Sequence, residues 1–411
     1  MSKIDELIEH LCPDGVEYKA LKEIGSVDRG GSFQKKDFVE EGMPCIHYGQ
    51  IYTKFGLHTV ETLTFVSEAV FEKSKKAHPG DVVMAVTSEN IEDVCKCVTW
   101  LGDGDVAVSG HTAIIRHNQN PKYMTYFFRS AAFEPIKNRL AHGTKVIEVT
   151  PAKLLDVRIP VPPMEVQEEI VRVLDSFAEL EAELEAELEA RKRQYAYYRD
   201  RLLTFGERER ERVRWVALGD VCELLAGFPF DSSRFVSSGI RLMRGMNVKR
   251  GYLDFAEENN RYWESSKGLE KYLLADMDII VQMDGSLVGK SYGMVSESQL
   301  PLLLVQRVAR LRATKIQPRY LYHVIASGAL SEMTEKKKTA GAVPHISMKD
   351  IAGIKLVLPS AEVQRAVVEV LDQFDAIVND ISQGLPAEIE ARRKQYAYYR
   401  DKLLSFKEKV A

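Results

Sequence analysis

The sequence has little cysteine and no long apolar run. Its 411 residues include five cysteines, an odd number. A single residue separates Cys95 from Cys97, whereas the cysteines of a zinc or redox pair are separated by two. We expect all five to be reduced packing residues. No apolar stretch approaches the roughly 20 residues that span a bilayer, and residues 1–10 are too polar and acidic for a secretory signal. These two absences predict a cytoplasmic protein.

Recognisable catalytic motifs are also missing. The segment GSLVGKS at residues 285–291 has three residues between its glycines, whereas a phosphate-binding loop has four. Neither an Asn/Asp-Pro-Pro-aromatic loop nor a glycine-rich cofactor turn is present, and the histidines lie scattered without a nucleophile arrangement. We therefore predict a chain that is not an enzyme and that has no catalytic site, metal site or cofactor of its own.

What the sequence does contain is an internal repeat. ARKRQYAYYRDRLLTF at residues 190–205 returns as ARRKQYAYYRDKLLSF at 391–406, with only Lys/Arg and Thr/Ser exchanges. Shorter matches link the preceding segments at an offset of about 197 residues, and the two halves differ most in their centres. A duplicated frame with divergent centres indicates one scaffold that presents two different recognition surfaces.

Composition places this scaffold among folded proteins with more than one domain. A hydrophobic content of 45% in 411 residues is enough for two good cores. The net charge of -4 is unevenly distributed, because residues 213–358 have 20 Lys and Arg against 15 Asp and Glu, whereas residues 1–158 have 19 against 22. The basic second half is compatible with nucleic-acid binding, which depends on local charge.

Periodicity predicts an α+β protein with two mixed α/β domains and two helical segments. The domains are predicted at 1–160 and 213–358, and the helical segments at 161–212 and 359–411. Within the domains we expect strands that include 81–86 and 278–281, helices near 123–139 and 319–334, and short capped helices after Thr150 and Ser347.

The helical segments carry apolar residues at spacings of mostly three, four and seven, which predicts two long helices packed antiparallel as a coiled coil. The first should cover roughly 167–205, and QGLP at 383–386 should kink or interrupt the second. Three copies of Glu-Leu-Glu-Ala fill 179–190. The first interpretation is that these copies are strong helix formers. The second is that the repeat sets the length of the helix, because each copy adds about 6 Å.

Polar loops recur at matching places in the two centres and are our candidates for DNA binding. Glycine allows close backbone approach, Lys and Arg neutralise phosphates, and Asn, Gln and Arg donate to base edges. An ordinary solvated loop is the alternative for each of them. In the first half the candidates are Arg29, Gly31, Ser32, Phe33, Lys35, Lys36, Tyr48, Gln50, Thr87, Ser88 and Asn90. In the second half they are Phe228, Phe230, Arg244, Asn247, Lys249, Arg250, Asp284, Ser286, Lys290, Gln306, Arg307, Lys336, Lys337 and Lys338.

The repeated helix carries a candidate for partner binding. Tyr195 and Tyr198 share one helix face, whereas Tyr197 points about 200° away from Tyr195. A tyrosine that points outward next to an arginine, at two equivalent positions, is typical of a protein-binding patch. The alternative is that these tyrosines cover the edge of a domain. The predicted partner-binding residues are Tyr197, Tyr198, Arg199, Tyr398, Tyr399 and Arg400.

The chain resembles the specificity subunit of type I restriction-modification systems over nearly its whole length. The resemblance lies in CPDGVEY at 12–18, the Pro-Pro-x-Glu-x-Gln run at 162–167, and both QYAYYRD helices. It implies two target recognition domains that each bind half of a bipartite DNA site, joined by a helical pair that sets the gap. It also implies two methyltransferase subunits that hold S-adenosylmethionine, and restriction subunits that use ATP and Mg²⁺. In the second half PSAEVQ at 359–364 lacks the doubled proline.

Three other functions stay open at this point. One is a related DNA-binding adaptor of a methylation or phage-defence system without restriction. Another is a fused enzyme with its own nuclease or methyltransferase activity, which would need motifs that this sequence lacks. The third is a coiled-coil scaffold that does not bind DNA, which the basic second half argues against.

Overall fold

The computed structural model describes residues 3–205, 213–285, 287–337, 345–379 and 384–409. It divides into two compact units. The first unit contains residues 1–183 together with 389–411, and the second contains 184–388. Each unit therefore contains one predicted mixed domain together with part of each helical segment.

The first unit is built on two five-stranded sheets. One has the strand order Gly25–Arg29, Thr112–His117, Val82–Ala85, Cys97–Trp100, His58–Thr59, and the other has the order Phe38–Val39, Thr64–Val66, Met43–Ile46, Val106–Val108, Lys76–Ala77. Small two-stranded sheets join Tyr18–Ala20 to Arg158–Pro160 and Thr87–Ser88 to Ile147–Glu148. The helices of this unit are Lys3–Leu11, Leu21–Ile24, Tyr48–Thr53, Glu68–Lys73, Pro121–Phe128, Glu134–Leu140 and Pro151–Leu154, with one 3-10 turn at Lys35–Asp37.

The second unit repeats this arrangement with fewer strands. Its larger sheet has the order Cys222–Ala226, Val308–Ala313, Ile279–Gln282, Tyr292–Met294, and its smaller sheet has the order Tyr262–Trp263, Ile240–Met243, Leu302–Leu304. Arg214–Ala217 pairs with Lys355–Leu358. The helices are Leu218–Val221, Pro318–Ala326, Ala329–Lys337, Met348–Ala352 and Ala361–Asn379, and 3-10 turns lie at Ser232–Arg234, Gly245–Asn247, Glu257–Asn259, Glu270–Tyr272 and Glu297–Gln299.

The central strands of each unit are buried on both faces. Along Val82–Ala85, alternate side chains enter two different clusters: Val82 and Met84 pack against the helices, whereas Val83 and Ala85 pack against the second sheet. Ile279 and Ile280 divide in the same way in the second unit. Period-two alternation with both faces apolar explains why these strands are continuous hydrophobic runs in the sequence. The predicted strands at 81–86 and 278–281 are confirmed.

Two predicted helices are each divided into two. The helix expected at 123–139 is Pro121–Phe128 followed by Glu134–Leu140. Pro135 lies in the first turn of the second piece, and proline has no amide hydrogen to continue a preceding helix. The helix expected at 319–334 is interrupted at Gly328, whose φ of +105° is a conformation that ends helices and favours glycine.

The long helix of the first helical segment spans Met164–Leu203, close to the predicted bounds. In the first unit it contacts the last helix, Leu385–Leu403, in antiparallel order, because Glu181 binds Arg393 at 2.6 Å while Phe177 stacks on Tyr399 further along. The second segment forms two helices, Ala361–Asn379 and Leu385–Leu403, as QGLP predicted. Residues 380–383 of that interruption lie outside the described residues.

The remaining expectations concern the thiols and the membrane. All five cysteines are free and buried, as expected of packing residues. Throughout the described residues, no helix combines the length and the apolar character needed to cross a bilayer.

Candidate nucleic-acid interface

A polar cleft of about 510 Å³ opens in the first unit where three chain segments meet. The first segment follows the edge strand Gly25–Arg29, the second begins the helix Tyr48–Thr53, and the third is the turn before the strand Thr112–His117. Its lining residues are Ser32, Phe33, Gln34, Lys35, Lys36, His47, Tyr48, Ser109, Gly110 and His111. We call this the first cleft.

Short contacts fix the three segments of the first cleft. A Cβ atom at Gly30 would overlap the carbonyl oxygen of Ser109, so only glycine fits where the first segment crosses the turn. The amide of Gly31 donates to the Val108 carbonyl at 2.8 Å. The amide of Tyr48 donates to the Ser109 hydroxyl at 3.0 Å, which ties the second segment to the same turn.

The charge of the first cleft comes from lysine. Burial, followed by the nearby Lys35 and His111, lowers the pKa of His47 to about 4, so this imidazole is neutral at physiological pH. His47 instead accepts a hydrogen bond from the Gly49 amide at 3.2 Å. Within the described residues, Lys35 and Lys36 form no ion pair with a carboxylate. Two unpaired ammonium groups beside a polar cleft suit a phosphate backbone.

A second cleft, of about 600 Å³, lies at the equivalent place in the second unit. The same three segments form it, and the end of the strand Ile279–Gln282 adds a fourth side. Its lining residues are Phe230, Ser232, Phe235, Arg244, Gly245, Met246, Gln282, Asp284, Gly285, Val305, Gln306 and Arg307. We call this the second cleft.

The second cleft is held together like the first but has different side chains. A Cβ atom at Gly227 would overlap the Val305 carbonyl oxygen, and the Gln306 amide donates to the Phe228 carbonyl at 2.8 Å. Burial, followed by Arg261, lowers the pKa of Arg244. Within the described residues, Arg244 forms no ion pair. Arginine, glutamine and aromatic side chains therefore replace the lysines and histidines of the first cleft.

The structure brings ten of the 25 predicted DNA-binding residues together in the two clefts. Those that line a cleft are Ser32, Phe33, Lys35, Lys36, Tyr48, Phe230, Arg244, Asp284, Gln306 and Arg307. Gly31 and Phe228 lie directly beside the linings and support them through backbone hydrogen bonds. Contact of these residues with DNA stays a prediction.

The side chains of Gln50 and Asn247, two of the base-reading candidates, form hydrogen bonds within the fold. They occupy equivalent positions, and each side chain accepts a hydrogen bond from the backbone amide three residues earlier, His47 at 3.1 Å and Arg244 at 3.1 Å. The Asn247 side chain also donates to the Asp254 carbonyl at 2.8 Å, and the residue is 0% exposed. The fold therefore uses both amides to cap local turns, and contact of these two residues with DNA stays a prediction.

Several other candidates lie away from the cleft linings. Thr87 is buried in its strand, Ser88 follows it, and the Asn90 side chain caps a turn by accepting from the Asp93 amide at 2.8 Å. Arg29 pairs with Glu148 at 3.1 Å. The remaining cations lie in loops of the second unit: Lys249, which is 3.5 Å from Asp254, and the exposed Arg250 and Lys290.

The basic run at 336–338 and one residue of the GSLVGKS segment are only partly described. Lys336 and Lys337 end the helix Ala329–Lys337, and their side chains lie outside the described part of the structure. Ser286 and Lys338 lie outside the described residues.

Seven lining residues with polar or polarisable side chains are not among the predicted DNA-binding residues: Gln34, His47, Ser109, His111, Ser232, Met246 and Gln282. A signal for one of them was present. His111 precedes the strand Thr112–His117 just as Arg307 precedes Val308–Ala313, so aligning the two strands would have paired it with a residue already predicted. Gln282 lies at the end of a buried strand, where polarity alone was not distinctive.

The predicted partner-binding residues divide into two groups. Tyr197 and Tyr398 are 57% and 61% exposed. Tyr198 stacks on Phe374 at 5.4 Å in the second unit, and Tyr399 stacks on Phe177 at 5.4 Å in the first.

The two arginines belong with the stacked tyrosines. Arg199 donates to the Ala326 carbonyl at 3.0 Å, and Arg400 binds Asp401 at 2.9 Å, so both guanidiniums are engaged within their units. The predicted face separation in the repeated helix is confirmed. Partner binding by these six residues stays a prediction.

Comparison with solved structures supports this fold. The chain is similar to the S subunit of a type I restriction-modification system from M. genitalium, with a TM-score of 0.58 at 14% identity over 95% of this chain and 96% of that one. It is also similar to a chain from a study of complex assembly and conformational transition in a type I system, with a TM-score of 0.60 at 18% identity over 95% and 97%. At these identities the likeness shows the fold.

Sequence comparison shows the family. A specificity subunit of the type I restriction enzyme EcoR124I/EcoR124II of Escherichia coli is 33% identical over 276 residues, which is 61% of this chain and 63%, under two thirds, of that subunit. A type I restriction enzyme specificity subunit of Haemophilus influenzae is 26% identical over 350 residues, 80% of this chain and 84% of that one. Residues 13–190 and 211–391 each match the type I restriction modification DNA specificity domain. The chain therefore belongs to the family of type I restriction-modification specificity proteins and carries their DNA specificity domain twice.

Proposed function

We propose that this chain is the DNA sequence-recognition subunit of a type I restriction-modification complex. Each unit binds one half of a bipartite, asymmetric DNA site through its cleft. The observation that carries the proposal is that two equivalent clefts have the same backbone frame but different side chains. A shared frame docks both units on the same kind of ligand, and unlike linings select different base sequences.

The proposal assigns the spacing of the two half-sites to the helical segments. The long helix has 40 residues, about 60 Å at 1.5 Å per residue, and it contributes residues to both units. DNA presents its major groove about every 34 Å along one face. A stiff element of this length is suited to holding two recognition units at separate places on one duplex.

We further propose that the chain has no catalysis of its own and recruits its enzymes. Two methyltransferase subunits, which hold S-adenosylmethionine, dock on the two equivalent patches centred on Tyr197 and Tyr398. Restriction subunits join through them and supply cleavage with ATP and Mg²⁺. The duplication supports two copies of one partner, because equivalent surfaces on a repeated helix bind identical proteins.

Selection from a random duplex library tests this function. The full-length chain is assembled with the methyltransferase subunits from the same source, bound DNA is recovered through several rounds, and the enriched sequences are read. We expect two short conserved blocks separated by unconserved positions of fixed number. The control is the methyltransferase alone, which should enrich no such motif. Absence of a bipartite motif with the complete assembly would contradict the proposal.

A further inference from the structure

The turn at the edge of each cleft contains a non-glycine residue in a left-handed backbone conformation. His111 has a φ of 64° and Arg307 has a φ of 70°. They occupy equivalent places, each directly before the strand that pairs with an edge strand: Thr112–His117 pairs with Gly25–Arg29, and Val308–Ala313 pairs with Cys222–Ala226. Both residues line their clefts, and both are exposed.

The same hydrogen bond fixes this conformation in both units. The Val86 amide donates to the His111 carbonyl at 2.9 Å, and the Met283 amide donates to the Arg307 carbonyl at 2.9 Å. Gly30 packs against Ser109 and Gly227 packs against Val305, in each case two residues before the residue with the positive φ. The fold therefore holds His111 and Arg307 at fixed positions and does not leave them on a free loop.

A turn that needed only the bend would be served by glycine, which adopts a positive φ without steric cost. A long polar side chain at this position is unfavourable, and unfavourable backbone conformations concentrate where the side chain is used. Two equivalent positions share the feature, and both face a cleft. Cys95 and Met277 also have a positive φ, so it is the position of His111 and Arg307 at equivalent places in the two clefts that points to a use for their side chains.

The surroundings of Arg307 show what that use can be. Its side chain is 74% exposed, and its Nε lies 3.9 Å from Asp284 Oδ2. This carboxylate favours one orientation of the guanidinium but leaves it open to solvent. Asp284 is itself held by a hydrogen bond to His345 Nδ1. Gln306 and Gln282 lie beside it in the same cleft. An arginine whose Nε faces a carboxylate leaves its two terminal nitrogens available as a fork, which matches guanine O6 and N7.

We propose that Arg307 reads a guanine in one half-site and that His111 contacts a base edge at the matching position of the other half-site. The inference rests on the proposed function, because it names the specificity-determining residue of each DNA-binding cleft. It adds that these two residues set base preference, whereas Lys35 and Lys36 set affinity for the phosphate backbone.

Arg307→Gly separates the role of the side chain from that of the turn. Glycine favours a positive φ, so the variant should unfold at a temperature no lower than the wild type. In the random-duplex selection, its assembly with the methyltransferase should lose discrimination at one guanine of one half-site by about tenfold or more. Arg307→Lys keeps the charge but not the fork, and should lose the same discrimination. His111→Gly is the matched control and should alter only the other half-site.

Two results would overturn the inference. Arg307→Gly could select the wild-type motif unchanged, or it could bind all sequences more weakly with the same base preference, which would make Arg307 a phosphate contact. In both cases the wild-type motif itself remains and the proposed function stands. A wild-type assembly that selects no bipartite motif would instead remove the proposed function and this inference together.

Discussion

Asn247 illustrates a polar residue that supports the second cleft without lining it. Asn247→Ala leaves the Arg244 amide and the Asp254 carbonyl without their buried partner, which should lower the free energy of unfolding by about 1–3 kcal/mol. The base preference should not change, because the side chain does not reach solvent. Urea denaturation measures the first effect and duplex selection the second. A preference altered at a single base pair would show that Asn247 contacts DNA after all.

Tyr197 and Tyr398 represent the opposite case, large aromatic side chains left exposed on a packed helix. Replacing both with alanine should weaken binding of the methyltransferase subunits by about 30-fold, because tyrosine is enriched among the few interface residues whose loss costs about 2 kcal/mol or more. Calorimetric titration of the double variant measures this, and each single variant should remove one of two binding events.

Phe374→Ala is the comparison for the tyrosine variants. Phe374 stacks on Tyr198, and its loss should reduce stability by about 3 kcal/mol instead of acting selectively on the partner. If the double tyrosine variant bound the partner as the wild type does, Tyr197 and Tyr398 would only cover the edge of a unit and would not bind the methyltransferase.

At the scale of elements, the long helix contains a tandem tetrapeptide repeat whose copy number sets its length. Deleting one Glu-Leu-Glu-Ala copy, residues 183–186, shortens the helix by about 6 Å and keeps leucine at every fourth position. The gap between the half-sites should shrink by about two base pairs, at roughly 3.4 Å each, while both half-sites stay the same. Methylome sequencing of a host that expresses the deletion measures this. A control substitution at the exposed Ala186, Ala186→Ser, should leave the gap unchanged, and an unchanged gap in the deletion would refute the role of helix length.

The sequence predicts a helix or strand correctly where the spacing of its apolar residues matches the face that the element buries. The long helix and the central strands follow directly from apolar spacing. The break before Pro135 and the one at Gly328 were missed, although both residues are visible in the sequence, because a helical pattern continues on either side of them. Local chemistry decides such breaks, and the hydrophobic period is not sensitive to it.

The clefts were only partly predictable for a different reason. Sequence polarity identified the loops that contain Lys35 and Arg244, and the repeat placed them at equivalent positions. It could not show that Gln50 and Asn247 turn inward, because an amide looks the same whether it caps a turn or faces a ligand. The positive φ of His111 and Arg307 is set by hydrogen bonds to strands distant in sequence, so no local pattern indicates it.

At the scale of the whole molecule, each of the two unlike centres of the repeat begins and ends in strands that pair with each other. Arg214 pairs with Leu358 in the second unit, and Tyr18 pairs with Pro160 in the first. A segment whose ends are held together in this way can be replaced without moving its surroundings, provided that the replacement ends in the same two strands. Under the proposed function, this architecture would separate the part that selects DNA from the part that binds the methyltransferase subunits.

Exchange of residues 213–358 for the corresponding segment of another family member tests this separation. The hybrid keeps the first cleft, the helical segments and both tyrosine patches, so one half-site should be replaced while the other half-site and the gap remain. Methylome sequencing of hosts with the parent and hybrid chains reads all three features at once. Exchange of residues 18–160 is the reciprocal control and should replace only the other half-site. If either exchange changed both half-sites, recognition would be a property of the two units together, and the assignment of one cleft to one half-site would be wrong.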